Sequence, residues 1–300
     1  MKHALRFLVV FAFAVSVHAQ VIIKLNNSFI NDFKNRATID ATYTVVKSHH
    51  KPNPPSKDGD IHAAGTAPEI GLATVAEIMN AKEKKTAMDA IIAVEGKSKT
   101  VKITGAWRLW AEHAGGKDQV QDATIPPFNS TNPDHVFQIH PISSVNAIDT
   151  RSSFHPIVGF TAKDAERAFT QYENLRCKII PGDPQTTLMT NMAGFNYVKF
   201  RMDLIDDPVA LSSGDGTVAF ASVSTLDDEL LVRKRRMIFV KGTPPEKAVS
   251  KMHKGGHLVV LGIPRIDLAL VAFRVEHATD QPEVLDWNLP YEIVVVGIFP

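Results

Sequence analysis

A chain of 300 residues is long enough for one large domain or two ordinary ones. Its 33 Lys and Arg against 32 Asp and Glu give a formal net charge of +1, so no global basic field draws it to nucleic acid or an anionic membrane. The single cysteine, Cys177, excludes an internal disulfide and leaves the fold to be held by its core; it reads as a small buried apolar residue just after a helix.

The first element is a leader. Lys2 and Arg6 precede an apolar run from Phe7 to Val17, and Val17-His18-Ala19 stands ahead of Gln20, the layout of a cleavable signal peptide over residues 1–19. As a helix that run reaches about 16 Å, short of the roughly 30 Å hydrocarbon core, so a permanent membrane span is not expected. No cysteine stands at the cleavage point, which argues against lipoprotein anchoring. Removing Lys2 and Arg6 leaves the basic residues one short of the 32 acidic ones.

After the leader, Thr38 to Lys47 alternates Ile39, Ala41, Tyr43 and Val45 with polar neighbours, as a half-buried strand does. Strands are predicted around Asp60 to Ala64 and Thr74 to Met79. Thr86 to Val94 then changes to helical spacing, with Thr86 as cap, Asp89 as the N3 acid and Gly96 as the stop. Strands at Thr100 to Trp110 and His135 to Val145 complete a β-β-β-α-β-β order. Thr161 to Arg176 reads as an amphipathic helix, a linker or brace. The same order then recurs: Val198, Phe200, Met202 and Leu204 alternate after Tyr197, Thr217 to Ser224 and Leu230 to Val240 follow, and Thr243-Pro244-Pro245-Glu246 is a capping box with proline at N1. His257 to Gly262, Ile266 to Glu276 and Tyr291 to Phe299 read as strands. The predicted fold is therefore mainly β: two five-stranded barrels of the OB type with one short helix each, joined by an amphipathic helix. The boundaries fall at 20–149 for the first barrel, 150–194 for the linker and 195–300 for the second.

Four pieces of the first half, Asp58-Gly59-Asp60-Ile61-His62, Ala76-Glu77-Ile78, Val101-Lys102-Ile103-Thr104-Gly105 and Val136-Phe137-Gln138-Ile139-His140-Pro141, resemble a family of small exported bacterial OB-like domains of uncharacterised function. The resemblance covers about residues 38–148. Gln138 stands where that family usually has Glu, which would weaken any cation site built on the acid. The second half is similar, over about 25 residues, to bacterial single-strand DNA-binding proteins: a helix, then Lys254-Gly255-Gly256, then Leu258-Val259-Val260-Leu261-Gly262. The same Lys-Gly exit is also ordinary capping chemistry.

Asp58, Asp60, His62, Glu112, His113 and His140 carry the chemistry of the first barrel. Asp60 and His62 share a strand face, and the resemblance implies that His62 and His140 approach each other. Asp60, His62 and His140 are the candidate ligands for a divalent metal, although a structural group satisfying backbone across the barrel mouth is the preferred reading. No HExxH, cysteine quartet or EF-hand loop occurs, G-x-S-x-G is missing, and no arginine lies between Asp60 and Glu69 to serve a thermonuclease-like site. For ligand contact, Trp110 beside Arg108 is the candidate in the first barrel, where Trp107 reads as core. Arg233 and Arg235, on one side of a basic strand near Phe220 and Phe239, are the candidates in the second. A solvated, charge-protected edge strand is the bland reading of that same basic run. These features point to an exported, periplasmic or extracellular binding protein without a cofactor, whose partner is a polymer, peptide or envelope protein. The alternative is a metal-dependent phosphodiester hydrolase centred on Asp60, His62 and His140.

Overall fold

The computed structural model describes residues 20–278 and 284–300; the expected leader lies outside the described residues. In chain order, β1 (Gln20–Asn26) and α1 (Asn27–Phe33) precede β2 (Thr38–Ser48), β3 (Ile61–Thr66), β4 (Thr74–Ile78), α2 (Lys85–Ile92), β5 (Val101–His113), β6 (Gln119–Val120), β7 (His135–Val145) and β8 (Ile148–Asp149). Next come α3 (Ala165–Asn174), β9 (Arg176–Ile180) and β10 (Gln185–Asn191). The last part holds β11 (Val198–Leu204), β12 (Val209–Ala210), β13 (Gly216–Ser224), β14 (Leu230–Val240), α4 (Pro244–Val249), β15 (His257–Ile266), α5 (Leu268–Glu276), β16 (Leu285–Asn288) and β17 (Tyr291–Ile298).

Two of the three sheets close on themselves. β2, β3, β4, β7 and β5 pair in that order and β5 returns to β2. β11, β13, β14, β17 and β15 do the same, β15 returning to β11. In each ring only the third-to-fifth contact is parallel, β4 with β7 and β14 with β17. The short helix lies between third and fourth strands in both. This is the OB architecture that the alternation predicts, and closure leaves neither barrel an open edge among its five strands. The alternating residues fill the interiors: Ile39, Ala41, Tyr43 and Val45 in the first barrel, Val198, Phe200, Met202 and Leu204 in the second. α4 starts where the capping box places it, Thr243 accepting from the Glu246 amide and Glu246 from the Gly242 amide.

Three elements depart from the sequence expectations. Leu268 to Glu276 is helical, not extended, and β15 runs unbroken to Ile266; Asp267 accepts from the Leu270 amide as N-cap, and Leu268 and Val271 turn inward at a spacing of three. α3 is shorter than Thr161 to Arg176, beginning at the Asp164 cap, and Cys177 lies inside β9. α2 is capped at Lys84, two residues before the expected Thr86, and without a side-chain hydrogen bond at the cap.

The third sheet, ordered β16-β9-β10-β1-β6, has no counterpart in those expectations. Val21, Ile23 and Leu25 of β1 and Thr186, Leu188 and Thr190 of β10 face inward. Its two edge strands come from corresponding places: β6 lies in the connection between fourth and fifth strands of the first barrel, and β16 in that of the second. Both connections are thereby tied into one shared sheet.

The barrels pack against each other. Outward side chains Ile238 and Val240 of β14, Leu261 and Ile263 of β15, and Val294 and Val296 of β17 form one apolar cluster with Ala37, Met79, Ala106, Phe154 and Ile157. Gly216 permits the approach, since a Cβ there would stand 2.6 Å from that of Ala37 and 2.4 Å from the Phe239 carbonyl. Across this seam the two fourth strands exchange arginines. Arg108 of β5 donates from Nε to the Pro264 carbonyl at 3.0 Å, and Arg265 of β15 donates to the carbonyls of Trp107 at 3.0 Å, Arg36 at 3.0 Å and Ala37 at 3.3 Å. The Arg265 guanidinium also lies 3.5 Å from the Trp107 ring centroid and binds Glu292 at 2.7 Å. Arg236 completes the charge balance on Glu292 at 3.1 Å.

Candidate functional site

In an OB barrel the second and third strands present the customary binding face. On the second barrel those strands are β13 and β14; their outer side is buried at the seam around Ile238 and Val240 and uncovered at the end that holds Phe220 and Lys234. Val209 of β12 pairs with Val218, and Phe220 follows two residues on, so the three lie on one face; Val209 is 61% and Phe220 36% exposed. Lys234 Nζ sits 4.5 Å from the Phe220 ring centroid. Arg233 beside it is exposed and, among the described residues, has no ion-pair partner. Leu226 and Leu230 extend the apolar strip at the hairpin tip. The neighbouring cation, Arg201 of β11, is already held by Asp203 at 2.9 Å and Asp228 at 2.6 Å.

The expected pairing of Arg233 with Arg235 does not occur, because β14 is bulged there. Ala221 pairs with Arg235 and Val223 with Val232, so β14 carries one extra residue and the alternation breaks. Arg235 instead reaches Glu173 at 2.5 Å, with its guanidinium 3.8 Å from the Tyr291 ring centroid. Arg236 is buried at the seam. The exposed cationic pair is therefore Arg233 and Lys234.

On the first barrel the equivalent strands, β3 and β4, are covered. Ala64, Ala73 and Val75 are packed under Phe128 and Ile125 of the connection between β5 and β7. A cleft of about 550 Å³ beside that connection is lined by Pro126, Pro127, Phe128 and Lys117. Trp110 and Arg108 are both buried: Tyr172 of α3 meets the Trp110 ring edge-on at 5.4 Å, and Arg108 is spent on Pro264, Gln138 and Glu112. Neither presents a surface to a ligand.

Next to that covered face lies a buried polar network that joins the barrels. Asp60 and His140 are 0% exposed. The Tyr197 hydroxyl, from the residue before β11, lies 2.5 Å from Asp60 Oδ2 and 2.7 Å from His140 Nε2. Glu77 of β4 is the member the sequence does not suggest. Its Oε2 is 3.6 Å from His140 Nδ1 and 3.5 Å from His62 Nε2, and its Oε1 accepts from Gln138 Nε2 at 2.6 Å. His62 thus approaches His140 through Glu77. His62 is partly exposed, stacks on His49 with centroids 4.9 Å apart, and lies 4.0 Å from Asp58. Glu112 and His113 stand at the far end, beside Arg108.

Gln138 has a physical reason to depart from the Glu of the resembled family. Its amide N–H donates to Glu77 while its carbonyl accepts from Arg108. A glutamate there would set two buried carboxylates against each other. Burial lowers the His140 pKa to about 4, so the ring is neutral near pH 7. Burial, then the Asp58 charge, raises the Asp60 pKa well above its ordinary value, against the Tyr197 hydrogen bond. Cys177 is inert for the same reason: burial pushes its thiol up to about 12.

No family model and no curated protein matches the chain. Among solved structures, the wild-type single-stranded DNA binding protein from Thermus aquaticus is similar at 9% identity and a TM-score of 0.22, covering 87% of this chain and 90% of that one. A deletion mutant of the same protein gives 11% identity, a TM-score of 0.23 and coverages of 87% and 91%. A murine DNA binding protein bound with double-stranded DNA gives 10% identity, a TM-score of 0.20 and coverages of 87% and 98%. Likeness of this degree leaves the function to the geometry.

Proposed function

We propose that the protein is an exported binding protein that takes a flexible anionic polymer, a single-stranded nucleic acid or an acidic oligosaccharide, on the second barrel. The observation that carries the reading is the uncovered part of the β12–β13–β14 face, where Phe220 offers a stacking surface and Arg233 and Lys234 offer charge with, among the described residues, no carboxylate partner. Export rests on the layout of residues 1–19, and cleavage after Ala19 leaves every pairing of β1 intact, since pairing begins with Gln20 opposite Asn191. Among the described residues no helix is long and apolar enough to cross a membrane. The hydrolase alternative gains no support: Asp60 and His140 are wholly enclosed, so a phosphodiester has no route to them.

The test is a titration of the purified protein with a labelled single-stranded oligonucleotide and, separately, with heparin, across a salt series. Wild type should bind one of the two with affinity that falls as salt rises, and Arg233→Glu with Lys234→Glu should abolish binding while the melt is unchanged. Binding that survives the double charge reversal, or no binding to either polyanion, refutes the reading.

A further inference from the structure

The buried network contains a feature that polymer binding does not use. His140 Nδ1 and Asp60 Oδ1 are enclosed without a hydrogen-bond partner, and an orphaned buried polar atom is costly. Both belong to a group in which Asp60, Glu77 and His140 each place one ligand atom within 4.8 Å of the others. Asp60 comes from the approach to β3, Glu77 from β4 and His140 from β7, so three neighbouring barrel strands converge on one point. The donors are one imidazole nitrogen and two carboxylates, a set that suits zinc and similar first-row divalent ions.

We propose that Asp60, Glu77 and His140 bind one divalent transition-metal cation beside the barrel seam. The proposal is independent of the polymer-binding reading. His140 Nδ1 and Glu77 Oε2 stand 3.6 Å apart, too long for a hydrogen bond. Two ligands of a tetrahedral zinc, each at roughly 2.1 Å, stand about 3.4 Å apart, so a cation fits between Glu77 and His140 with a shift of tenths of an ångström, and Asp60, whose ligand atom lies within 4.8 Å of the other two, closes in on it by the larger movement. The other ring nitrogen is already committed: the Tyr197 O–H donates to Asp60 Oδ2, so its oxygen accepts from His140 Nε2–H. That fixes the tautomer with Nδ1 free to ligate, as outer hydrogen bonds do at metal-binding histidines. Glu77 is likewise held from outside, by Gln138 at Oε1 and by His62 near Oε2. His62, the partly exposed member, stands between the group and solvent, in a positioning role and not as a ligand. Charge points the same way, since two carboxylates enclosed with a neutral imidazole need a cation or a proton, and a divalent ion compensates both.

Tag-free protein, stripped with chelator, is titrated with zinc by calorimetry and melted with and without zinc. Wild type should take up one equivalent and melt higher with the metal. Glu77→Gln and Asp60→Asn, which keep the side-chain shapes, should fold, lose binding by about 100-fold or more, and lose the zinc-dependent rise in Tm. His62→Ala should still bind one equivalent, weakened about 10- to 100-fold as for loss of an outer-shell partner. No uptake by wild type overturns the site, as does uptake that persists undiminished in both Glu77→Gln and Asp60→Asn. Should one of the two fail to fold, the other decides.

Discussion

The two barrels have one strand order and one helix position, yet their second and third strands face different surroundings. In the first, Phe128 and Ile125 from the chain's own β5–β7 connection close over Ala64 and Val75, and the remaining polar groups are turned into the network around Glu77. In the second, among the described residues, no such cover lies over Val209, Phe220 and Lys234, although both connections join the shared sheet, through β6 and β16. One architecture therefore serves two ends. Where Phe128 and Ile125 lie over the face the barrel becomes a support, and where no such residues lie over it the face remains free.

The largest expected effect lies at the seam on which both barrels depend. Arg265→Ala should destabilise the protein by about 3–5 kcal/mol in denaturant unfolding, because it removes the guanidinium from three carbonyls and leaves Glu292 buried with Arg236 alone. A loss under about 1 kcal/mol would show that the barrels do not stabilise each other. Tyr197→Phe should cost less, about 1–3 kcal/mol, through the lost hydroxyl between Asp60 and His140. Tyr197 has a positive φ of 55°, and Phe is sterically equivalent to Tyr there, so the change is confined to the hydroxyl.

A pH series separates the supporting barrel from the free one. Burial lowers the His135 pKa to about 3, with His113, Arg108 and His62 adding repulsion and the Pro133 carbonyl opposing. The unfolded state therefore takes up this proton first as pH falls. Stability from His135 is full above about pH 6.5 and is lost from there down to about pH 3, at about 1.4 kcal/mol per unit of pKa difference. Asp60, with its pKa raised, runs the other way, gaining relative stability as it protonates ahead of the unfolded chain. His135→Gln should reduce the loss between pH 6.5 and 4 to the part that His140, lowered to about 4 by burial, contributes, and an unchanged slope would show that His135 contributes none of it. The smallest effect on stability is expected at Phe220→Ala, about 1 kcal/mol or less, since the residue is only partly covered, at 36% exposure. Its cost should appear in polymer binding, about 1–3 kcal/mol for a lost stacking platform.

The barrels were legible because alternation is strict where one face of a strand is core, as in Val198 to Leu204. The third sheet was not, because β6 and β16 are short and β10 turns two threonines inward, which reads as a polar loop. α5 was misread because Ile266 to Glu276 is apolar at nearly every position, and only the Asp267 cap distinguishes helix from strand. The basic run of β14 was resolved wrongly because a bulge leaves no mark in an alternating pattern. Asp60 and His140 were visible from the motifs that contain them. Glu77 escaped because its meeting with His140 depends on the parallel register of β4 with β7, and Tyr197 because it arrives from the other barrel.

Backbone amide exchange or chemical-shift mapping on the protein with and without saturating single-stranded oligonucleotide or heparin tests the contrast between the barrels most directly. Perturbation should concentrate on residues 209–210, 217–222 and 230–235, with residues 61–78 unmoved. Perturbation centred on β3 and β4 of the first barrel, with the β13–β14 face silent, would contradict that contrast.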